Sequence, residues 1–229
     1  MKWSSRLHPT FDPLEEYANE TPPADVSIVI GTFGDLDVWE GKSEEAKISS
    51  YMQSVPPAQV IHVHGETLAD SRNQGAELAE TEWIIFLDAD DELDVGYIEA
   101  MFDAEGDIRR PSTLGVVNGV DDAFEVMIPK KPLLEGNYII IGAMVRREMI
   151  VKVGGFDEYE MSEDWAFWLK CVLEGATISE VPKAIYRVNV AVDGRNSNSV
   201  LGARVYNEIK GRFVKEAHHK GMSRGTDLL

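Results

Sequence analysis

The sequence is poor in cysteine and in positive charge. Its 229 residues include one cysteine, Cys171, so no disulfide can form within the chain. Lysine and arginine total 22 against 40 aspartates and glutamates, and the formal net charge is −18. A chain this acidic is poorly suited to non-specific binding of nucleic acid or of an anionic membrane surface. No nucleic-acid partner is therefore expected.

Long apolar runs are also lacking. No stretch approaches the roughly 20 apolar residues of a membrane-spanning helix, and the start M-K-W-S-S-R-L-H-P-T has no apolar signal-peptide region. We therefore expect no membrane span and a cytoplasmic protein. The hydrophobic fraction of 44% is ordinary for a globular chain with a real core, and the length suits one domain.

The most informative stretch is T-E-W-I-I-F-L-D-A-D-D-E, residues 81–92. Its continuous apolar run predicts a strand buried on both faces, as in a mostly parallel sheet. The strand ends in Asp88, Asp90 and Asp91. Open α/β sheets bind ligands at the carboxyl ends of their strands. Carboxylate oxygens there suit Mg²⁺ or Mn²⁺, metals that usually bridge substrate phosphates.

These acids have three other interpretations. They could simply cap a loop and the following helix, as many short acidic clusters do. An EF-hand is excluded because Leu93 occupies the loop position that needs glycine and a strand precedes the loop. A haloacid-dehalogenase-type phosphatase with Asp88 as nucleophile stays open as an alternative. Glu92 stands where those enzymes usually carry Thr or Val.

Apolar periodicity and turn residues predict alternating strands and helices. We expect strands at 26–30, 59–64 and 83–87, with shorter extended pieces at 114–120, 124–128, 178–181 and 184–188. We expect helices at 42–53, 67–80, 95–104, 146–153, 163–174 and 206–217. Residues 1–24 are predicted to be an irregular arm, 25–199 the folded domain and 200–229 a C-terminal helix and tail.

Several side chains in these helices have predicted places. Thr67 and Ser162 are predicted N-caps. The predicted inward-facing side chains are Ile48, Tyr51, Met52, Ile98, Met101, Phe102, Trp165, Trp168, Leu169 and Val172, with Cys171 as a core residue.

Arg72 stands out because a cation near a helix N-terminus opposes the helix dipole. An anionic ligand or the acids at 88–91 would explain it, and a surface ion pair is an equally weighted alternative.

Five blocks occur in an order that resembles family 2 glycosyltransferases of the GT-A fold. They are V-S-I-V-I-G-T-F, A-D-S-R-N-Q-G-A-E-L-A, W-I-I-F-L-D-A-D-D, R-R-E-M-I-V-K-V-G-G-F-D-E and S-E-D-W-A-F-W-L-K. The resemblance covers roughly residues 25–190. An Asp-X-Asp (DXD) motif alone is weak evidence, whereas five blocks in order are strong, and the phosphatase alternative accounts for only one of them.

The resemblance implies an α/β fold with a Rossmann-like, mostly parallel central sheet flanked by helices. It implies a metal-dependent, inverting transferase of the hexosyltransferase type that uses a nucleotide-diphosphate sugar, a UDP-sugar in the first place. The acceptor would be a glycan, a protein or a lipid head group. The implied cofactor is manganese or magnesium (Mn²⁺ or Mg²⁺).

The resemblance also implies a role for each matched residue. Asp164 would be the general base, and Asp90 with Asn189 would bind the metal. The nucleotide sugar would contact Thr32, Phe33, His64, Glu66, Arg72, Asp88, Gly142 and Glu163.

The chain departs from the family pattern in three places. Gly31 stands where the family often has Pro, and Asn189 where many members have a His that reaches the metal. The second strand ends with His64 and Glu66 where many members have an Asp that pairs with uracil, which leaves the nucleobase open. A non-catalytic sugar-nucleotide or glycan-binding module on the same scaffold therefore stays as a second alternative.

Overall fold

The structure is a computed structural model that describes residues 21–117, 120–125, 130–190 and 199–221. It has the α/β class that the sequence predicts, with one sheet and helices against it. Most of the predicted arm 1–24, part of the extended piece 124–128 and most of the loop 194–199 lie outside the described residues.

The described elements alternate along the chain. The strands are β1 (Ala24–Phe33), β2 (Pro57–Gly65), β3 (Trp83–Asp88), β4 (Glu92–Leu93), β5 (Ile108–Val117), β6 (Val120–Glu125), β7 (Met144–Arg146) and β8 (Ile178–Asn189). The helices are α1 (Leu36–Tyr51), α2 (Leu68–Leu78), α3 (Tyr97–Phe102), α4 (Arg147–Val153), α5 (Glu163–Leu173) and α6 (Ser199–His219), and a 3-10 turn covers Leu133–Glu135. Among these helices, none combines the length and the apolar character that a membrane crossing requires.

The sheet order is β2-β1-β3-β7-β5-β8-β4, with β6 paired to β5. The three longest pairings, β1 with β2, β1 with β3 and β5 with β8, are parallel. Because β7 runs antiparallel to both β3 and β5, the strands β1, β2, β3, β5 and β8 all point the same way. Their carboxyl ends therefore share one edge of the sheet, where such folds bind ligands.

Helix α1 packs differently from the prediction. It begins at Leu36 rather than near residue 42, and the predicted inward residues Ile48, Tyr51 and Met52 are 56%, 42% and 52% exposed. Its buried side is made of small residues: Ser43, Ala46, Ser49 and Ser50. The Ser49 and Ser50 hydroxyls donate to the Ala46 carbonyl at 3.0 and 2.7 Å, which satisfies them inside the fold.

Helix α3 is shorter than predicted. Ile98 and Met101 are buried as expected, but Phe102 is 38% exposed. Phe102 covers the buried Arg109, whose guanidinium carbon lies 4.0 Å from the Trp83 ring centroid and 5.9 Å from that of Phe102. The Phe102 ring thus covers the buried guanidinium of Arg109 rather than filling the core.

Strand β8 is one strand where the sequence suggested two short pieces. Pro182 follows Val181, and the register against β5 shifts between the pairs Pro111–Val181 and Ser112–Ile185. Proline is tolerated at such an irregularity because no ladder hydrogen bond is needed from its nitrogen.

Both predicted N-caps stand at the starts of their helices, but only one of them makes a side-chain cap bond. The Thr67 hydroxyl accepts from the backbone nitrogen of Asp70 at 3.0 Å, as predicted for an N-cap. Ser162 sits at the start of α5 with a left-handed φ of 59° and makes no side-chain cap bond. The predicted core of α5 is confirmed, since Trp165, Trp168, Leu169, Cys171 and Val172 are all buried.

We expect Gly75→Ala in α2 to lower the melting temperature. A Cβ at Gly75 would lie 2.2 Å from Cγ1 of the fully buried Val29 on β1, so the helix must move off the sheet. Overpacking of this kind costs about 1–3 kcal/mol, or about 2–10 °C for a chain of this size. Thermal unfolding followed by circular dichroism measures the shift.

The matched control is Gly211→Ala in α6, where a Cβ meets nothing within 4 Å. There the better helix propensity of alanine should leave the melting temperature unchanged or raise it by about 2–4 °C. Equal shifts for the two variants would contradict the proposed close contact of α2 with β1.

Candidate functional site

The site lies at the shared carboxyl edge of β1, β3 and β8. At the end of β1, a Cβ at Gly31 would lie 2.7 Å from the Ser71 hydroxyl and 3.5 Å from Cγ of Arg72. Helix α2 therefore passes so close to β1 that a side chain at position 31 would displace it. This contact explains glycine at a position where the family often has proline.

Arg72 is a buried cation between two carboxylates. It is 3% exposed, and it donates from Nη2 to Asp88 Oδ1 at 2.6 Å and from Nη1 to Glu163 Oε1 at 2.7 Å. Burial by itself lowers the pKa of Arg72, but the charges of Asp88, Glu163 and Asp164 raise it above its ordinary value. The acids, and not a surface ion pair, account for this arginine in α2. Its predicted contact with the nucleotide stays a prediction.

Asp91 holds the acidic turn against β8. It is 6% exposed, its Oδ1 accepts from the backbone nitrogen of Asn189 at 2.8 Å, and it is hydrogen-bonded to the Tyr186 hydroxyl. Burial, then the charge of Asp88, raises its pKa well above the usual range for an aspartate. Asp91 therefore brings Asn189 to the acidic turn, a structural role that the sequence pattern did not identify.

Asp90 is the half-buried acid of the turn. Burial and the neighbouring charge of Asp88 both raise its pKa, against a smaller opposing effect of Lys42. The carboxylates at this edge thus outnumber the cations that face them. A bound cation would relieve the repulsion between them.

Two buried tyrosines, Tyr186 and Tyr97, make hydrogen bonds to the backbone of predicted site residues. The Tyr186 hydroxyl accepts from the backbone nitrogen of Asp88 at 3.2 Å, and the Tyr97 hydroxyl donates to the carbonyl of Gly142 at 2.7 Å. A Cβ at Gly142 would lie 2.1 and 2.3 Å from two atoms of the Tyr186 ring. The structure thus places the predicted sugar-binding Gly142 as the packing partner of Tyr186. Sequence reasoning missed both tyrosines, whose hydroxyl partners lie 45 to 98 residues away.

Asp164 lies in the first turn of α5, directly after the Arg72 partner Glu163. Burial, followed by the charge of Glu163, raises the pKa of Asp164 to about 6, although Arg72 acts in the opposite direction. Asn137 donates from Nδ2 to Asp164 Oδ2 at 2.7 Å. A half-buried carboxylate with this pKa can be ionised at neutral pH and still be basic enough to accept a proton.

The predicted nucleoside side comes together at the ends of β1 and β2. Thr32 is fully buried, and its hydroxyl lies 3.1 Å from Nδ1 of His64 and 3.5 Å from Nε2 of His62. Burial, then Lys47 and His64, lowers the pKa of His62. Phe33 is half-buried, and Glu66 is exposed. Both histidines are exposed beside β1, and the buried Thr32 hydroxyl contacts both of their rings.

Within the described part of the chain, no group of three or more His, Cys, Asp or Glu side chains converges as a metal-ligand set. A divalent metal bound here would therefore take few oxygens from the protein. Mg²⁺ characteristically binds through one or two carboxylates together with water and substrate phosphates.

Comparison with protein families finds a match over the first part of the described site. The model of the family described as "Glycosyl transferase family 2" matches residues 42–156, half of the chain. The matched range contains the ion-paired Arg72 and the acids at 88–91, but ends before α5 and β8.

Comparison with curated proteins finds EpsH of Bacillus subtilis (strain 168), which is named as a glycosyltransferase. It is 33% identical over 94 residues, which is 41% of this chain. The match spans about a quarter (26%) of that relative's length.

Comparison with solved structures finds S. aureus TarS. TarS 1–349 in complex with UDP-GlcNAc superposes with a TM-score of 0.58 at 17% identity, covering 85% of this chain and 72% of that one. The same protein in complex with UDP gives a TM-score of 0.55 at 19% identity, with the same shares covered. At such low identity these likenesses show the fold, and they confirm the GT-A class expected from the sequence.

We expect Arg72→Met to destabilise the protein strongly at pH 7.5. The variant keeps the length of the side chain but leaves Asp88 and the buried Glu163 without their cation. Removing one partner of a buried ion pair costs about 3–5 kcal/mol. Denaturant unfolding with linear extrapolation measures the loss.

The control is Arg204→Met, which removes the exposed pair of Arg204 with Glu160. Exposed pairs contribute only about 0–1 kcal/mol. A loss at Arg72 no larger than the loss at Arg204 would show that the buried triad does not hold α2, β3 and α5 together.

Proposed function

The chain belongs to glycosyl transferase family 2, and from this premise we propose that it transfers a sugar from a nucleotide-diphosphate donor to an acceptor hydroxyl. Asp164 is the proposed general base, and the acids at the end of β3 are the proposed donor site. Because the curated relative is matched over about a quarter of its length, the activity of the whole protein is part of this proposal.

One observation carries the proposal. Arg72 joins Asp88 at the end of β3 to Glu163 at the start of α5, with bonds of 2.6 and 2.7 Å. It thereby holds the acidic turn beside Asp164, whose pKa responds to the charges of Arg72 and Asp88. A transferase needs the donor site and the general base close together, because the leaving diphosphate and the attacking hydroxyl act on the same anomeric carbon.

The proposed donor is a nucleotide-diphosphate sugar, with a UDP-sugar as the first candidate. The TarS structures contain UDP-GlcNAc or UDP, which supports this donor class for the shared fold. On this chain, Thr32, Phe33, His64 and Glu66 are the proposed nucleoside contacts, and Gly142 with Glu163 borders the sugar. The acceptor is a glycan, a protein or a lipid head group.

The oxygen ligands that Asp90 and Asn189 offer suit a hard divalent cation, Mn²⁺ or Mg²⁺. Asp90 is partly accessible, and burial followed by repulsion from Asp88 raises its pKa, so a cation would stabilise its ionised form. Asn189 is exposed and tied to the same turn through Asp91, so its amide oxygen is the proposed second ligand. When bound, the metal would neutralise negative charge on the leaving diphosphate.

The proposed chemistry at Asp164 is a single displacement. Its carboxylate takes the proton of the acceptor hydroxyl while that oxygen bonds to the anomeric carbon and the bond to the donor diphosphate breaks. Attack from the face opposite the leaving group inverts the configuration at that carbon. Glu163 is ion-paired with Arg72. Of the two neighbouring carboxylates, Asp164 is therefore the one proposed to accept the proton.

Membership of the family overturns the phosphatase alternative. A phosphatase of that type needs a free Asp88 nucleophile, whereas Asp88 Oδ1 is ion-paired with Arg72 at 2.6 Å. A binding module without catalysis is then the remaining alternative, and turnover measurements distinguish it from the transferase.

The deciding experiment is a panel of nucleotide sugars tested for binding by calorimetry and for turnover by nucleotide release. We expect one donor class to bind and turn over with Mn²⁺ or Mg²⁺, and turnover to stop with chelator. Asp164→Asn should lower turnover by about 10²–10⁴-fold while donor affinity changes little. Asp90→Asn should instead raise the metal concentration that half-maximal turnover requires.

The matched control is Asp103→Asn, which removes one charge from an exposed residue after α3. Donor binding without turnover, unchanged by Asp164→Asn, would identify a binding module and refute the transferase.

The pH dependence follows from the pKa of about 6 for Asp164. The base must be ionised, so kcat/KM should be flat above pH 7 and fall toward tenfold per unit below pH 6. Initial rates from pH 5 to 8.5 at subsaturating donor test this. A rate that stays constant down to pH 5 would contradict a pKa of about 6 for the group that accepts the proton.

A further inference from the structure

The segment that precedes Gly142 is fastened to the helices that surround Asp164. Trp165, one residue after the proposed base, donates from Nε1 to the Leu133 carbonyl at 2.7 Å. The Tyr206 hydroxyl of α6 donates to the Glu135 carbonyl at 3.2 Å. Gly136 then turns the chain with φ of 146°, a backbone conformation that favours glycine. These contacts set the position of the next residue, Asn137.

The amide of Asn137 has one orientation that satisfies both of its contacts. Its Oδ1 accepts from the backbone nitrogen of Ile139 at 3.1 Å, and a backbone N–H can only donate. Its Nδ2 must then point to Asp164 Oδ2, 2.7 Å away, and an ionised carboxylate can only accept. Exchanging the two ends of the amide would break both bonds.

We propose that Asn137 is a positioning residue for Asp164, which holds one carboxylate oxygen so that the other faces the acceptor hydroxyl. The inference rests on the proposed function, because it assigns Asn137 a role in the same reaction. Among the described side chains, Asn137 is the one with a hydrogen bond to Asp164, and the backbone N–H of Trp165 also interacts with that carboxylate. A neutral donor can orient Asp164 without neutralising its charge.

The other groups that face Asp164 are charged. They are Glu163 on the same helix, Arg72 on α2 and Asp88 at the end of β3. Arg72 is already committed to Asp88 and Glu163, so it is not a substitute for Asn137 as donor.

The test compares Asn137→Asp with Asn137→Ala. The aspartate keeps the size of the side chain and an oxygen for the Ile139 nitrogen, but it places a second acceptor against Asp164. We expect its kcat at pH 7 to fall about 100-fold and to recover in part by pH 9, with the donor KM within about twofold. Alanine should lower kcat about tenfold at all pH values above 7.

The matched control is Asn207→Asp on α6, an exposed residue whose amide donates to the Ala203 carbonyl. It adds the same charge away from the site and should leave kcat and its pH profile unchanged. Thermal unfolding of each variant separates a loss of fold from a loss of positioning.

A second readout does not depend on turnover. Carbon-13 NMR of the carboxyl groups, with Asp164→Asn to assign the signal, should show Asp164 titrating at higher pH in Asn137→Asp than in the wild type. An unchanged Asp164 titration and a wild-type pH profile in Asn137→Asp would overturn the inference. So would a loss that is equal at every pH and is accompanied by a weaker donor affinity.

The two levels of failure are distinguishable. Wild-type turnover that depends on Asp164 but not on Asn137 refutes only the role of Asn137. A wild-type protein that turns over no donor refutes the proposed function, and the role of Asn137 in it fails as well.

Discussion

The buried pairing of Arg72 with Asp88 and Glu163 is the interaction on which the site depends. Its members come from α2, from the end of β3 and from the start of α5, and Arg72 and Glu163 are nearly inaccessible. Burying charges is expensive unless each one is paired with good geometry. The three elements are therefore held in one relative position, because separating them would take ion partners away from the buried Arg72 and Glu163.

Arg72 pairs with two of the acids at this site and leaves three others without an arginine partner among the described residues. Asp90, Asp91 and Asp164 all have raised pKa values, and burial is the largest cause for each. Asp91 is buried and accepts from the backbone nitrogen of Asn189. Asp90 and Asp164 keep some exposure. These two acids are therefore the accessible ones of the three. In the proposed reaction Asp90 binds a cation and Asp164 accepts a proton.

Local patterns predicted the parts of the fold that depend on local physics. The apolar run of β3, the Thr67 cap and the buried face of α5 follow from residues within one or two turns of each other. The inward face of α1 could not be predicted in this way, because the sheet accepts its small residues and leaves Ile48 and Met52 outside. The shape of the sheet decides which face of α1 is buried, and the spacing of apolar residues in the helix carries no information about that shape.

The candidate site divides along the same line. Its acids and Arg72 stand out in the sequence because charge in an apolar or dipole-opposed position needs an explanation. Tyr97, Tyr186 and Asn137 give no such signal, because each would be ordinary in a core or a loop. Their roles come from hydrogen bonds across 27 to 98 residues of sequence. Only the closed fold brings those partners together.

Asn189 stands where many family members have a His, and a backbone contact fixes the position of this residue. Asp91 accepts from the backbone nitrogen of Asn189, so the end of β8 reaches the acidic turn whatever side chain stands there. A different side chain at position 189 would keep the same backbone position. Histidine offers a nitrogen ligand at such a position and asparagine offers an amide oxygen, which suits hard cations such as Mg²⁺. Asn189 would thus give the proposed metal site an oxygen ligand in place of a nitrogen ligand.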